Sequence, residues 1–349
     1  MANNTDIQNF VNRDPTKISW SRSLYSSARN GIEIGFSETE IRKALYRPFT
    51  KTNFYFNKSL NEVRYQMPKI FPSQGSKNRL IMISGIGANE FSCLMTDCIT
   101  DLNCFTAGQC FPYNLFEEER AKSNDLFSHD HQVSVKCGVS DDYLTFTRNF
   151  YGKSNISVDE VFHYVYGVLH SPSYREKFKN NLLKELPRIP LLKSFQQFQK
   201  ISQSGANLSD LHLNFENASI YPTSLIDRDL LGYSGADEKK YFRVEKMRFA
   251  GKKGLIDKSN VIYNEYITIK NIPLEAYEYV VNGKPALEWV MERQCVKVDK
   301  DSGIVNDAND YAIETMNNPA YPLELFQRVI TVSLETMKIV KSLPPLDLD

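Results

Sequence analysis

The stretch SVDEVFHYVYGVLHSPSYREKFKNNLLKELPRIP, residues 157–190, decides the fold. Ser157 and Glu160 match the S-x-x-E capping box, which satisfies free N–H groups at a helix start. Val158, Val161, Phe162, Val165 and Leu169 then recur at helical spacing. Ser171-Pro172 stops that helix and starts another, with serine at the N-cap and proline at the first helical position. Tyr174, Phe178 and Leu182 fall on one side of the second helix, and Leu186-Pro187 ends it. A third helical stretch, LLKSFQQFQKIS (191–202), follows Pro190, so residues 155–213 are predicted to be helical.

Strand-like sequence lies on both sides. Upstream, RLIMISG (79–85) is a continuous apolar strand. EFSCLMTDCITDLNCF (90–105) holds one or two more, with turns at Asp97 and Asp101. FEEERAKSNDLFSHDHQ (116–132) reads as a polar loop, and KCGVSDDYLTF (136–146) as the end of the β block. Downstream, the turn-rich segment 221–240 leads to strands in YFRVEKMRF (241–249) and NVIYNEYITIKNI (260–272). EYVVNGKPALEWVMER (278–293) gives a Val-Asn-Gly turn and a short helix, and residues 321–343 a long amphipathic helix with Pro322 at its start. Glu38 to Leu45 has helical character, and the aromatic run after it is strand-like beyond Pro48. Strands, helices, strands and a closing helix predict an α+β fold, a mixed β-sheet with a helical hairpin or bundle inserted and a C-terminal helix.

The 349 residues can bury a sizeable core. MANNTDIQNF has neither the basic start nor the apolar core of a signal peptide, and no run approaches the roughly 18 apolar residues of a membrane span. Six cysteines in this length fit reduced thiols and a cytoplasmic location.

Sequence motifs for catalysis are weak. Gly85-Ile86-Gly87 follows a strand, but the continuation alternates like a strand, which favours a hairpin turn over a phosphate-binding loop. No G-x-x-x-x-G-K-[ST] occurs. Asn318-Pro319-Ala320-Tyr321 is one residue from the N-P-P-Y motif of amino-methyltransferases, without the Gly-rich turn that would bind AdoMet. Cys93, Cys98, Cys104 and Cys110 are spaced more loosely than structural zinc ligands. His129 and His131 lack a third ligand, and Glu238-Lys239-Lys240 lacks the partner acid of a metal-dependent nuclease. His163 and His170 share a helix face with no nucleophile beside them, a pattern of buried or capping histidines.

Recognition chemistry remains. Net charge is zero, yet the cations are clustered. Residues 42–69 hold seven Lys or Arg against Glu62, and residues 241–258 hold six against Glu245 and Asp257. Aromatics are interleaved: Tyr46, Phe49, Phe54, Tyr55, Phe56 and Tyr65 in the first stretch, Tyr241, Phe242 and Phe249 in the second. Such faces suit a polyanion. The turn FAGKKG (249–254) has the shape of a loop that reaches into DNA or of an ordinary solvated hairpin tip, and the Phe49–Phe56 stretch suits DNA contact or docking of a neighbouring domain equally.

The ordered phrases KISWSRSL (17–24), YRPFTKTNFYF (46–56), MPKIFPS (67–73), GQCFPY (108–113), the helical stretch 161–190, YPTSL (221–225) and VNGKPALEWVMERQ (281–294) together resemble the C-terminal part of type ISP restriction–modification enzymes. In that family one polypeptide is similar to a fusion of nuclease, helicase-like ATPase, adenine methyltransferase and target-recognition domain. The resemblance implies that residues 76–349 recognise double-stranded DNA, in sub-blocks 76–150, 155–213 and 241–349. Residues 1–75 would then link or dock to an adjoining methyltransferase domain. It further implies no catalytic centre, no cofactor and no metal in this chain; AdoMet, ATP and Mg²⁺ would serve the family's other domains. The expected DNA contacts are Arg47, Lys51, Lys58, Arg64, Arg175, Arg188, Lys246, Arg248, Lys252 and Lys253. The alternatives are a degenerate methyltransferase, a nuclease or a protein-interaction module.

Overall fold

The computed structural model describes residues 11–119, 132–227, 237–252 and 254–347. A helix, α1 (Arg22–Arg29), precedes the hairpin of β1 (Ile41–Arg47) and β2 (Thr50–Tyr55). Strands β3 (Leu80–Ile83), β4 (Cys93–Thr96), β5 (Ile99–Thr100) and β6 (Gln109–Pro112) follow. β4-β3-β6 form one antiparallel sheet, while β5 pairs in parallel with β1 to complete the sheet β2-β1-β5. A two-stranded ribbon joins β7 (Asn114–Glu119) to β8 (Gln132–Cys137). Then come helices α2 (Asp141–Tyr151), α3 (Val158–His170), α4 (Pro172–Lys177) and α5 (Phe195–Leu213).

The second β block holds β9 (Ser224–Asp227), β10 (Arg248–Lys252), β11 (Leu255–Ile262) and β12 (Ile267–Lys270), antiparallel in the order β10-β11-β12-β9. A tight hairpin, β13 (Val280–Val281) and β14 (Lys284–Pro285), turns through Asn282 and Gly283, both at positive φ, into α6 (Ala286–Arg293). The hairpin β15 (Val296–Val298)–β16 (Val305–Asp307) precedes the 22-residue α7 (Tyr321–Ser342).

Strand β3 explains the architecture. Every residue of β3 and β4 is buried, so both faces of this sheet are covered. Side chains alternate across a strand. Leu80, Met82 and Leu94 therefore enter one hydrophobic core, while Ile81, Ile83, Cys93 and Met95 enter a second. The first core packs β1–β2 and the four-stranded sheet against α6 and α7, and the second packs α3 and α5. Each fully buried large aliphatic or aromatic side chain contributes about 1.5–3 kcal/mol.

The helical block follows its sequence grammar. Ser157 Oγ accepts the Glu160 N–H while the Glu160 carboxylate accepts the Ser157 N–H. Ser171-Pro172 separates α3 from α4. α3 and α5 touch through glycines: a Cβ on Gly167 would lie 2.4 Å from the Ile201 carbonyl oxygen, and one on Gly205 1.9 Å from that of His163.

Three expectations need correction. Residues 38–45 form only a 3₁₀ turn (Glu38–Glu40) before β1, because Ala44 and Leu45 are drawn into the first core as strand residues. In KCGVSDDYLTF only Lys136 and Cys137 are strand, and Asp141 onward is helix: Ser140 caps α2 by accepting the Tyr143 N–H, and Gly152 ends it in the left-handed conformation. YFRVEKMRF is strand only from Arg248; the Asn309 side chain bonds both the N–H and the C=O of Val244, in place of a ladder. Within the described part of the N-terminal segment, Phe49 and Phe56 are buried in the first core, and Phe49 packs edge-on to Phe215 and Tyr279.

Candidate nucleic-acid interface

The β10–β11 ribbon groups exposed cations among the predicted contact sites. Its base is fixed. Val261 and Tyr263 are fully buried, and Phe249 packs against the first core. The Tyr263 hydroxyl donates to the Phe242 carbonyl at 2.6 Å, and that of Tyr277 to the Lys258 carbonyl at 2.9 Å. Asn264 Nδ2 donates to the carbonyls of Tyr241 and Arg243.

Its outer half is free of the sheet. β12 pairs β11 only at Val261 and Ile262, whereas Leu255, Ile256 and Asp257 pair only with Lys252, Gly251 and Ala250 of β10. The register shift that separates the halves leaves Lys258, Ser259 and Asn260 without β10 partners. There the Asp257 carboxylate accepts hydrogen bonds from Ser259 and Asn260, which hold its pKa below the usual range. Gly251 has φ +97°, and a Cβ there would meet the Leu255 carbonyl oxygen at 2.1 Å. Only glycine fits.

The ten expected contacts separate into two groups. Lys246, Arg248 and Lys252 are exposed at the base and along the ribbon, and none forms an ion pair with another described residue. Lys253 lies outside the described residues. Lys58 is exposed on a turn whose N–H groups bond Asn57, remote in sequence from the ribbon. Arg188 is 88% exposed and paired with Glu185 at 3.1 Å.

The other four are engaged internally. Arg47 bonds Asp101 at 2.6 Å with only 15% of its side chain exposed, and stacks on Tyr46. Lys51, 13% exposed, sits 3.1 Å from Glu216 and 3.7 Å from Asp97. Burial opposes its charge, but those two carboxylates outweigh burial and raise its pKa. Arg64 lies over the Phe56 ring. Arg175 closes the end of α3, donating from Nε to the Leu169 carbonyl at 2.6 Å and approaching Cys93 Sγ at 3.3 Å. All four thus have partners within the chain, whereas Lys58 of the first basic stretch is exposed.

Two exposed residues of the tip go unannounced in the sequence. Leu255 is 80% exposed and Ile256 64%. An apolar pair inside a strand reads as core, and only the pairing pattern shows that this strand outruns its sheet.

Several motifs of possible catalysis have structural partners. The Asn318 side chain accepts the Ala320 N–H at the start of α7, and the buried Tyr321 hydroxyl donates to Glu216 at 2.7 Å. Burial, then Glu216, pushes the Tyr321 pKa up. Gly85-Ile86-Gly87 leads from β3 to β4, with no helix behind it. Burial raises the thiol pKa values of Cys93, Cys98 (to about 11), Cys104 and Cys110. No three His, Cys, Asp or Glu converge as a metal site among the described residues. His129 and His131 lie outside them. His170 is buried, with its Nδ1 2.9 Å from the Tyr166 carbonyl oxygen.

A family model described as the Type ISP C-terminal specificity domain matches residues 2–325. The chain belongs to this family. Solved structures agree with that assignment. The specificity domain is 34% identical to an "ATP-dependent Type ISP restriction-modification enzyme LlaBIII bound to DNA", with a TM-score of 0.81 over 99% of this chain and 21% of that one. It is 38% identical to a nuclease-deletion mutant of the Type ISP enzyme LlaGI in complex with a DNA substrate mimic, with a TM-score of 0.79 over 100% of this chain and 24% of that one. A cryo-EM structure of a DrdV–DNA complex matches at 29% identity and a TM-score of 0.79, over 98% of this chain and 32% of that one. The specificity domain thus spans between about a fifth and a third of the solved proteins it matches. No curated protein sequence matches it. Among the described residues no helix is long and apolar enough to cross a membrane.

Proposed function

We propose that this specificity domain reads the target sequence in double-stranded DNA for a type ISP restriction–modification enzyme. It positions that site for adenine methylation and restriction by other domains, and contributes no catalytic group of its own. The observation that carries the reading is the β10–β11 ribbon, anchored in the first core and projecting with Arg248 and Lys252 unpaired among the described residues. A two-stranded ribbon fits the major groove of B-DNA, and unpaired cations at its edge suit phosphates. The DNA held by the LlaBIII, LlaGI and DrdV structures supports the same partner. An adjoining methyltransferase domain is the second partner in this reading. AdoMet, ATP and Mg²⁺ belong to the other domains, and the enzyme works in the cytoplasm.

A domain exchange tests this. The chain, put in place of the corresponding segment of LlaGI, should redirect methylation to a new sequence. The same sequence should be enriched when the chain alone selects from random duplexes. Methylation that stays at the LlaGI site, with no enrichment by the chain, overturns the proposal.

A further inference from the structure

We infer that Leu255 and Ile256 read thymine methyl groups in the major groove; this rests on the DNA-reading function proposed above. The tip has an unusual composition for a solvent-facing hairpin. Leu255 and Ile256 are 80% and 64% exposed, next to the exposed cation Lys252. Protruding strand edges with bare aliphatics invite aggregation unless something covers them.

The register says what each face offers. Leu255 lies opposite Lys252, and Ile256 opposite Gly251. Neighbouring strand residues point to opposite faces, so each face of the tip carries one aliphatic. The Ile256 face has no side chain across from it, because Gly251 is required there by its φ of +97° and its contact with the Leu255 carbonyl. The tip is therefore thin on that face.

Charge selects the occupant. Lys252 stands opposite Leu255 and Arg248 lies at the ribbon base opposite Ile262, neither with a described acidic partner, while the Asp257 carboxylate is engaged by Ser259 and Asn260; an apolar partner with anionic groups beside it suits this tip. A DNA groove has that pattern, with phosphates on both rims. Ala250, Gly251, Leu255 and Ile256 carry no side-chain donor or acceptor, so their side chains cannot discriminate bases by hydrogen bonds. The apolar feature of the major groove is the thymine 5-methyl group. The aliphatic pair on the ribbon has that group as its partner.

The test uses the duplex selected by the chain, with each thymine replaced singly by uracil. At one or more positions the wild-type chain should bind about fourfold more weakly, the equivalent of one lost methyl contact. That penalty should vanish in Leu255→Ala or in Ile256→Ala, whose exposed sites leave folding intact. Lys252→Ala should keep the penalty while weakening binding overall. A selected site in which no uracil weakens binding overturns the inference, as does a penalty that persists in both variants. Equal loss by the variants on every sequence also overturns it and points to protein contact at the tip. In these outcomes selective binding survives in the wild type, whereas failure of the underlying reading would leave no selected sequence at all.

Discussion

His212 on α5 and Tyr279, just ahead of β13, lie ring against ring, with centroids 5.4 Å apart and planes 6° from parallel. The His212 Nε2 is also 3.0 Å from the Tyr279 hydroxyl. Tyr279 belongs to the first core, while α5 packs in the second, so this contact joins the two. The Met95 N–H donates to the Tyr166 hydroxyl, whose own proton is left to donate to His212 Nδ1 at 2.6 Å. That pattern places the imidazole proton on Nε2, facing Thr336 Oγ1 at 3.0 Å and Tyr279.

The network gives a pH prediction. Burial lowers the pKa of His212 from 6.5 to about 3, and drives that of His170 well below 6.5. Above pH 6.5 both residues are neutral whether folded or unfolded, and pH has no effect through them. Below pH 6.5 the unfolded chain takes up protons that the folded chain refuses, so stability falls as pH falls toward about 3. Each histidine contributes a slope of up to about 1.4 kcal/mol per pH unit in that window. His212→Phe should cost about 2 kcal/mol at pH 7, since it strands the Tyr166 hydroxyl, and should flatten the acid limb. Urea titrations at several pH values decide; an acid limb equally steep in the variant removes His212 as its source.

The two groups of cations predict opposite phenotypes. Lys252→Ala and Arg248→Ala should leave the melting temperature in place and reduce the slope of log K against log salt by about one unit per lost phosphate contact. Arg47→Ala should leave that slope alone. It strips Asp101 of a partner held at 2.6 Å, which should cost about 2 kcal/mol and lower Tm by about 4 °C. Thermal melts and binding at a series of salt concentrations separate the groups. A salt slope that responds to Arg47 instead of Lys252 would reverse the assignment.

The sequence made some of this legible. Ser157, Glu160, Ser171 and Pro172 act through their own backbone neighbours, so their helix boundaries could be read from spacing alone. Asn282-Gly283 and the Pro322 helix start are local in the same way. The ion pairs of Arg47 and Lys51 were not legible, because their partners Asp101 and Glu216 lie far along the chain. The exposure of Leu255 was hidden for a related reason: it depends on where β12 stops pairing. The α2 helix had its signals in place, Ser140 before two aspartates and Gly152 behind, but a strand pattern ending at Cys137 masks them. Local capping is readable from sequence; partners set by topology are not.

The glycines of the α3–α5 contact predict a severe, purely structural effect. Gly205→Ala would place a methyl 1.9 Å from the His163 carbonyl oxygen, and Gly167→Ala one 2.4 Å from that of Ile201. Neither carbonyl can retreat without moving its helix. Overpacking of this kind should cost about 3 kcal/mol or more for each variant. Since both glycines press on the same contact, the double variant should fall short of additivity. Urea midpoints for the three variants check this, and near-wild-type stability for Gly205→Ala would mean the helices are not in backbone contact.

Gly251→Ala should separate the ribbon from the fold. The substitution puts a side chain where φ is +97° and where its Cβ would meet the Leu255 carbonyl oxygen at 2.1 Å. The pairing of Gly251 with Ile256 and of Lys252 with Leu255 must then break or twist. The affected residues belong to neither core, so the expected change in Tm is within about 2 °C. Affinity for the selected duplex should nevertheless fall to the level of random DNA, because the tip no longer presents Lys252, Leu255 and Ile256 together. Gly254→Asn is the matched control: that position also has positive φ, +90°, but a Cβ there meets nothing within 4 Å, and asparagine tolerates positive φ better than other residues. It should lose less binding than Gly251→Ala. If Gly251→Ala binds and selects DNA as well as the wild type, the ribbon is not the reading element, and the contact must be sought elsewhere on the surface.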